Sequence, residues 1–133
     1  MAQYEPIDAN RHKSIKIHPD AGVKFACTQH LISLRVTEVD KAVSDFPVLF
    51  FRNHQTGKLS MAAMAGFKTG ENLFVNNDAW EAIFMPSTLK THPFHVISGD
   101  SLAGSYTLTL NVDSPYVGSD DGIALFTDNG QPT

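Results

Sequence analysis

The stretch His92-Pro93-Phe94-His95 places two imidazoles three residues apart. On a helix that spacing can present two ligands to one metal ion, but Pro93 breaks a helix between them. In a strand, residues three apart face opposite sides, so the rings diverge. The pair therefore reads as a helix end, where His92 sits near the negative pole, followed by an aromatic core strand. No metal is assigned. Cys27 and His30 carry the atoms of a nucleophile and its base. A reactive thiol needs a lowered pKa and a partner in space. No glycine-rich elbow or helix start precedes Cys27, so it reads as an inert core thiol.

Asp113, Asp120 and Asp121 lie in DSPYVGSDDG. They lack the alternating spacing and closing Glu of a calcium loop, and no companion acid or base makes them a catalytic pair. GFKTGEN has two glycines but no GK[ST], which excludes a phosphate loop. Glu71 and Asn72, a charge and an amide in a turn between strands, can cap a neighbouring element or orient a ligand. Together with Trp80 and His95 they form the candidate ligand-binding set. No catalytic residue and no cofactor is assigned.

The elements that must position these residues are short. Residues 1–12 are polar and aperiodic and read as irregular surface. Residues 14–18 alternate as a half-buried strand. Residues 19–22 read as a turn, 25–29 as extended, and 32–36 as a second strand. Thr37 is placed to cap a helix over 38–45, with Asp40 in its first turn. Val39, Ala42, Val43 and Phe46 form its apolar face, and Pro47 ends it. Residues 48–52 read as a strand covered on both faces. They join by a hairpin loop at 53–57 to a small-residue strand at 58–67. Turns are expected at 69–72 and 76–78, with a strand at 73–75 between them and extended chain at 80–85. Pro86 suits the first position of a short helix over 87–91. Strands follow at 94–97, 105–112 and 123–126. Loops lie at 99–104 and 113–122, and a turn at 128–130. The sum is a β-rich α+β chain, its antiparallel sheet strongly bent or forming a partly open barrel, with two short helices.

At 133 residues the chain reads as one domain. The net charge of −4 and the scattering of ten basic residues argue against nucleic-acid binding. One cysteine excludes an internal disulfide. MAQYEPIDANRHK has no apolar segment of the kind a signal peptide carries, and no apolar run approaches the ~20 residues that span a bilayer. The chain reads as cytoplasmic, with no membrane partner.

The order FPVLFF, GENLFV, W…FMPSTLKTHPF, LNVDSPYV and ALFTDNGQPT resembles the bacterial SapC family, over residues 13–133. The resemblance implies a further, largely helical part beyond Thr133. It also implies a link to surface-layer assembly, secretion or peptide transport. Similar proteins tend to be encoded beside outer-membrane receptors and flavin-dependent tryptophan halogenases. The resemblance transfers no catalytic residue.

The first reading is a non-catalytic binding or accessory module that pairs a peptide or protein partner with an exposed strand edge, at the alanine-rich stretch 61–65. The second is an enzyme, or a partner of a halogenase or hydroxylase system, with a metal site near His92 and His95. A structural homo-oligomer is the third.

Overall fold

Prolines, glycines and Asx turns cut the chain into short pieces. The computed structural model describes residues 2–99, 104–118 and 120–133. In chain order the elements are β1 (Tyr4–Pro6), β2 (Lys16–Ile17), α1 (Ala21–Ala26) and β3 (Leu31–Leu34). A 3-10 turn (Val36–Glu38) runs into α2 (Val39–Ala42), followed by β4 (Val48–Arg52) and β5 (Leu59–Met64). Then come β6 (Val75–Asn76), β7 (Ala79–Trp80), α3 (Ser87–Lys90), β8 (Phe94–Ser98), β9 (Tyr106–Asn111), β10 (Val117–Gly118) and β11 (Ile123–Ala124). Every pairing of these strands is antiparallel, which accords with the short connections. The chain is β-rich with short helices, as the pattern predicts, and its strands form no closed barrel among the described residues. The helices number three among the described residues, one more than expected.

The residues divide into two compact units. The unit Gly22–Lys90 holds the sheet β3-β5-β4 and the ribbon β6-β7. Ala63 sits between Ile32 and Val48 in register. Its core gathers Ile32, Leu34, Phe46, Ala63 and Leu89, with Phe74 and Trp80 packed against them. Phe46 lies 4.4 Å from Phe74 and 6.0 Å from Trp80 between ring centroids, within the range of favourable aromatic contact. The β6-β7 turn is made by Asn77 and Asp78, both at positive φ (49° and 60°), the conformation of a two-residue hairpin with the right twist.

The unit Met1–Ala21 with Thr91–Thr133 holds two sheets, β1-β9-β8 and β10-β2-β11. β2 is central in the second, flanked by two strands from the far end of the chain. The His92–Pro93 peptide is cis.

Several expectations are corrected. The extended reading of 25–29 gives way to α1, because alanines at both ends of AGVKFA favour helix and Cys27 N–H still reaches back to the Val23 carbonyl. Residues 1–12 are not wholly irregular surface. β1 pairs with β9, and His12 is buried in a turn where Asp8 accepts the N–H groups of Asn10 and Arg11. Thr37 does not cap the helix. Glu38 accepts the Arg35 N–H at 3.0 Å, so the helical turn begins earlier and α2 ends at Ala42, with Val43 56% exposed. The strand at 48–52 is not covered throughout, since Phe50 is 69% exposed. β9 does not bury an alternating apolar face. Thr109, Leu110 and Asn111 are buried in sequence while Tyr106 and Leu108 are exposed. The expected loop 113–122 contains β10, and of the extended segment 80–85 only Trp80 lies in a strand. Of the loop expected at 99–104, residues 100–103 lie outside the described residues, as does Ser119 of the loop at 113–122.

Candidate functional site

Glu71 and Asn72 follow β5 in a tight turn. Glu71 Oε2 accepts the N–H groups of Phe67 (2.8 Å) and Lys68 (3.3 Å). The turn is tight enough that a Cβ on Gly66 would run into the Glu71 carbonyl oxygen. Asn72 Nδ2 donates to the Ala26 carbonyl at 2.8 Å, and its Oδ1 accepts the Phe74 N–H at 2.8 Å. Trp80 donates its indole N–H to the Phe84 carbonyl at 3.1 Å. Phe74 thus joins Asn72 to Trp80 in one unit, and their polar groups bond to the chain's own backbone. His95 belongs to the other unit, on β8, exposed, its ring 5.4 Å from that of Tyr4.

A pairing that the sequence reading missed involves His92. Its Nε2 lies 3.0 Å from Ser114 Oγ, and Tyr116 meets its ring edge-on at 6.1 Å. Burial holds the imidazole pKa below its ordinary value, so the ring is neutral at neutral pH. A neutral imidazole against a hydroxyl is the pairing that activates a serine. Ser114, however, is only 5% exposed, and its Oγ also accepts the Tyr116 N–H. The contact therefore ties the turn after β9 to the start of β8. The signal available was the serine of DSPY, read only as part of an acidic loop.

Glu38 and Asp45 are two further carboxylates whose long-range partners the sequence reading missed. Asp45 Oδ2 accepts the Phe84 N–H at 2.7 Å, and Glu38 Oε1 accepts the Ser87 N–H at 2.7 Å. Partial burial pushes the Glu38 pKa up, but the N–H donors of Arg35 and Ser87 outweigh it and hold the carboxyl below its ordinary value. These bonds fix the irregular segment between β7 and α3.

Among the described residues, no three His, Cys, Asp or Glu side chains come together to hold a metal ion. Cys27 donates its thiol to the Val23 carbonyl at 3.4 Å. The Asp113 N–H donates to Asn111 Oδ1, and Lys16 Nζ donates to the Asp120 carbonyl.

The alanine-rich stretch cannot serve as a docking strand. β5 is the central strand of its sheet, so both its edges are paired, and Ala62 and Ala63, on opposite faces, have no exposed surface. An accessible edge lies elsewhere among the described residues. β8 is the outermost strand of β1-β9-β8, and residues 95–99 are exposed. Asn111 N–H bonds to the Pro93 carbonyl and Gly99 N–H to the Ser105 carbonyl, which sets the ladder phase. By antiparallel alternation the N–H and C=O groups of Val96 and Ser98 point away from β9. Val96, Ile97, Tyr106 and Leu108 are each between 46% and 73% exposed, so the distal β8-β9 ribbon is exposed on both faces, with the apolar Val96, Tyr106 and Leu108 on one and Ile97 on the other.

These features define a β-rich protein whose side-chain hydrogen bonds serve its turns and whose open feature is a strand edge. The SapC family model matches residues 7–133, and the chain belongs to the SapC family. No curated protein and no solved structure matches it. No helix among the described residues is long and apolar enough to cross a membrane.

Proposed function

We propose that the chain is a non-catalytic binding module that captures an extended segment of a peptide or protein partner along β8. The observation that carries this reading is the exposed edge, with the backbone groups of Val96 and Ser98 turned outward beside an uncovered apolar ribbon. Main-chain hydrogen bonds from such an edge supply affinity, and alternate side chains supply selectivity. A captured residue opposite Val96 would lie beside Val96 and Leu108, which are paired in register, and its neighbours would face Ile97 on the other side. The preferred segment is therefore short, apolar and uncharged. A role in handling exported or surface-layer polypeptides fits this chemistry, since such chains present extended segments before they fold.

The test uses short labelled peptides of varied apolar content with the intact chain. Uncharged apolar peptides are expected to bind, and Val96→Pro, which removes an outward N–H, is expected to abolish binding while Val43→Lys leaves it unchanged. Equal binding by Val96→Pro, or no binding of any peptide, would overturn the reading.

A further inference from the structure

We infer that the same edge is held by a second copy of the chain, two β8 strands pairing antiparallel about a two-fold axis at Val96. The inference rests on reading β8 as the binding edge and adds the partner that occupies it when no peptide is present. It begins from an asymmetry between the two edges of one sheet. The outer strand β1 carries Glu5 and Pro6, and a charge and a proline are devices that block edge pairing. β8, with sequence FHVIS, has no proline and no Asp, Glu, Lys or Arg, and neither does its neighbour β9, YTLTLN. The edge of β4 ends in the charged Arg52. β8 is thus an exposed apolar edge without that protection.

The register follows from the ladder. The residues whose backbone points outward are Phe94, Val96 and Ser98, and the Phe94 N–H is already bonded to the Thr91 carbonyl. A two-fold at Val96 keeps the whole strand paired. Val96 then exchanges both hydrogen bonds with its own counterpart, and Ser98 donates to the Phe94 carbonyl of the other copy. Two-fold interfaces are self-complementary, and an apolar residue on the axis meets that demand. Both copies carry a net charge of −4, so a contact without ionised groups avoids like-charge repulsion. On one face the join extends the exposed Val96 and Leu108 into a row continuous with their counterparts, removing apolar surface from water.

The prediction is a dimer that peptide binding dissociates, because both compete for one edge. Sedimentation velocity over a concentration series is expected to show the unmodified chain passing from monomer to a species of twice the mass. Val96→Pro should remain monomeric. Ile97→Lys, which places a charge on the edge without altering the backbone, serves if the proline variant fails to fold by circular dichroism. Register is read by oxidation in a Cys27→Ser background. Val96→Cys should cross-link to itself, because hydrogen-bonded partners sit about 5.5 Å apart at Cα, within disulfide reach. Ser98→Cys should not, because its counterpart lies about 14 Å away by strand rise. A monomer at every concentration, or cross-linking of Ser98→Cys as readily as Val96→Cys, would overturn the inference. A chain that stays monomeric yet binds peptides defeats this inference alone. A dimer that binds no peptide even when diluted to monomer defeats the functional reading alone.

Discussion

Asn72 shows how a residue that looks like a ligand contact can be spent on the fold. Its amide bridges the end of α1, through the Ala26 carbonyl, to the Phe74 N–H that leads into the aromatic core. Replacing a partly buried amide leaves both backbone partners unpaired, which costs roughly 1–3 kcal/mol for each group left buried and unsatisfied. Asn72→Ala is therefore expected to lower the urea midpoint with an unchanged m-value. Two titrating side chains make pH predictions of related form. The depressed pKa of Glu38 means its bonds to Arg35 and Ser87 contribute stability above the ordinary glutamate value, about 4.3. That contribution disappears as pH falls through the lower folded value. Glu38→Gln should flatten this part of the acid limb of a stability–pH curve. His92 acts in the same direction at higher pH. Its folded pKa is depressed by burial, so the unfolded chain binds the proton more readily, and stability declines as pH drops below about 6.5 and levels off below the folded value. His92→Gln should remove that step, read by thermal melts between neutral and mildly acidic buffers.

At the scale of elements, the punctuation was legible and the pairing was not. Pro47, Pro86, Gly57 and the turn at Asn77 and Asp78, one residue later than expected, mark real boundaries because each acts through its own backbone restriction or freedom. The antiparallel, β-rich class follows from the short connections between strands. What could not be read was partner choice. β1 forms because β9, about a hundred residues away, offers an edge, and β2 is completed from 117–118 and 123–124. No local pattern encodes such pairings. Exposure was misread for the same reason, since Leu108 and Tyr106 alternate as a core strand would but lie where the ribbon is uncovered. Of the candidate residues, Glu71, Asn72 and Trp80 lie in one unit and His95 in the other. Ser114 escaped because its partner lies 22 positions away. The β2 sheet supplies its own prediction at Gly122. This glycine adopts φ 128°, a region open only to glycine, and a Cβ there would collide with the Ile17 carbonyl oxygen. Gly122→Ala should cost about 1–3 kcal/mol from strain alone, with more from the collision. Amide exchange should show lost protection at Ile17 and Ile123, while β3-β5-β4 is untouched.

For the whole molecule, chain order matters as much as local pattern. The unit Gly22–Lys90 is continuous and contains its own core, including the single tryptophan. The other unit is assembled from both ends of the chain and cannot form from either alone. Without residues 1–21, β9 loses β1, and β10 and β11 lose the central strand that joins them. Strands of two or three residues without a partner do not hold together in water, and the β8-β9 hairpin left alone is marginal. An excised segment of residues 22–90 is therefore expected to keep a cooperative unfolding transition in Trp80 fluorescence, because Phe46 and Phe74 travel with it. A segment of residues 91–133 should show no amide protection by hydrogen exchange until a peptide of residues 1–21 is added. Protection should then appear at Val117 and Ile123, the residues in register with Ile17. Protection of Val117 and Ile123 without the added peptide would mean that β10 and β11 are held by something other than their pairing with β2. A non-cooperative Trp80 signal in 22–90 would mean that its core depends on the remainder of the chain.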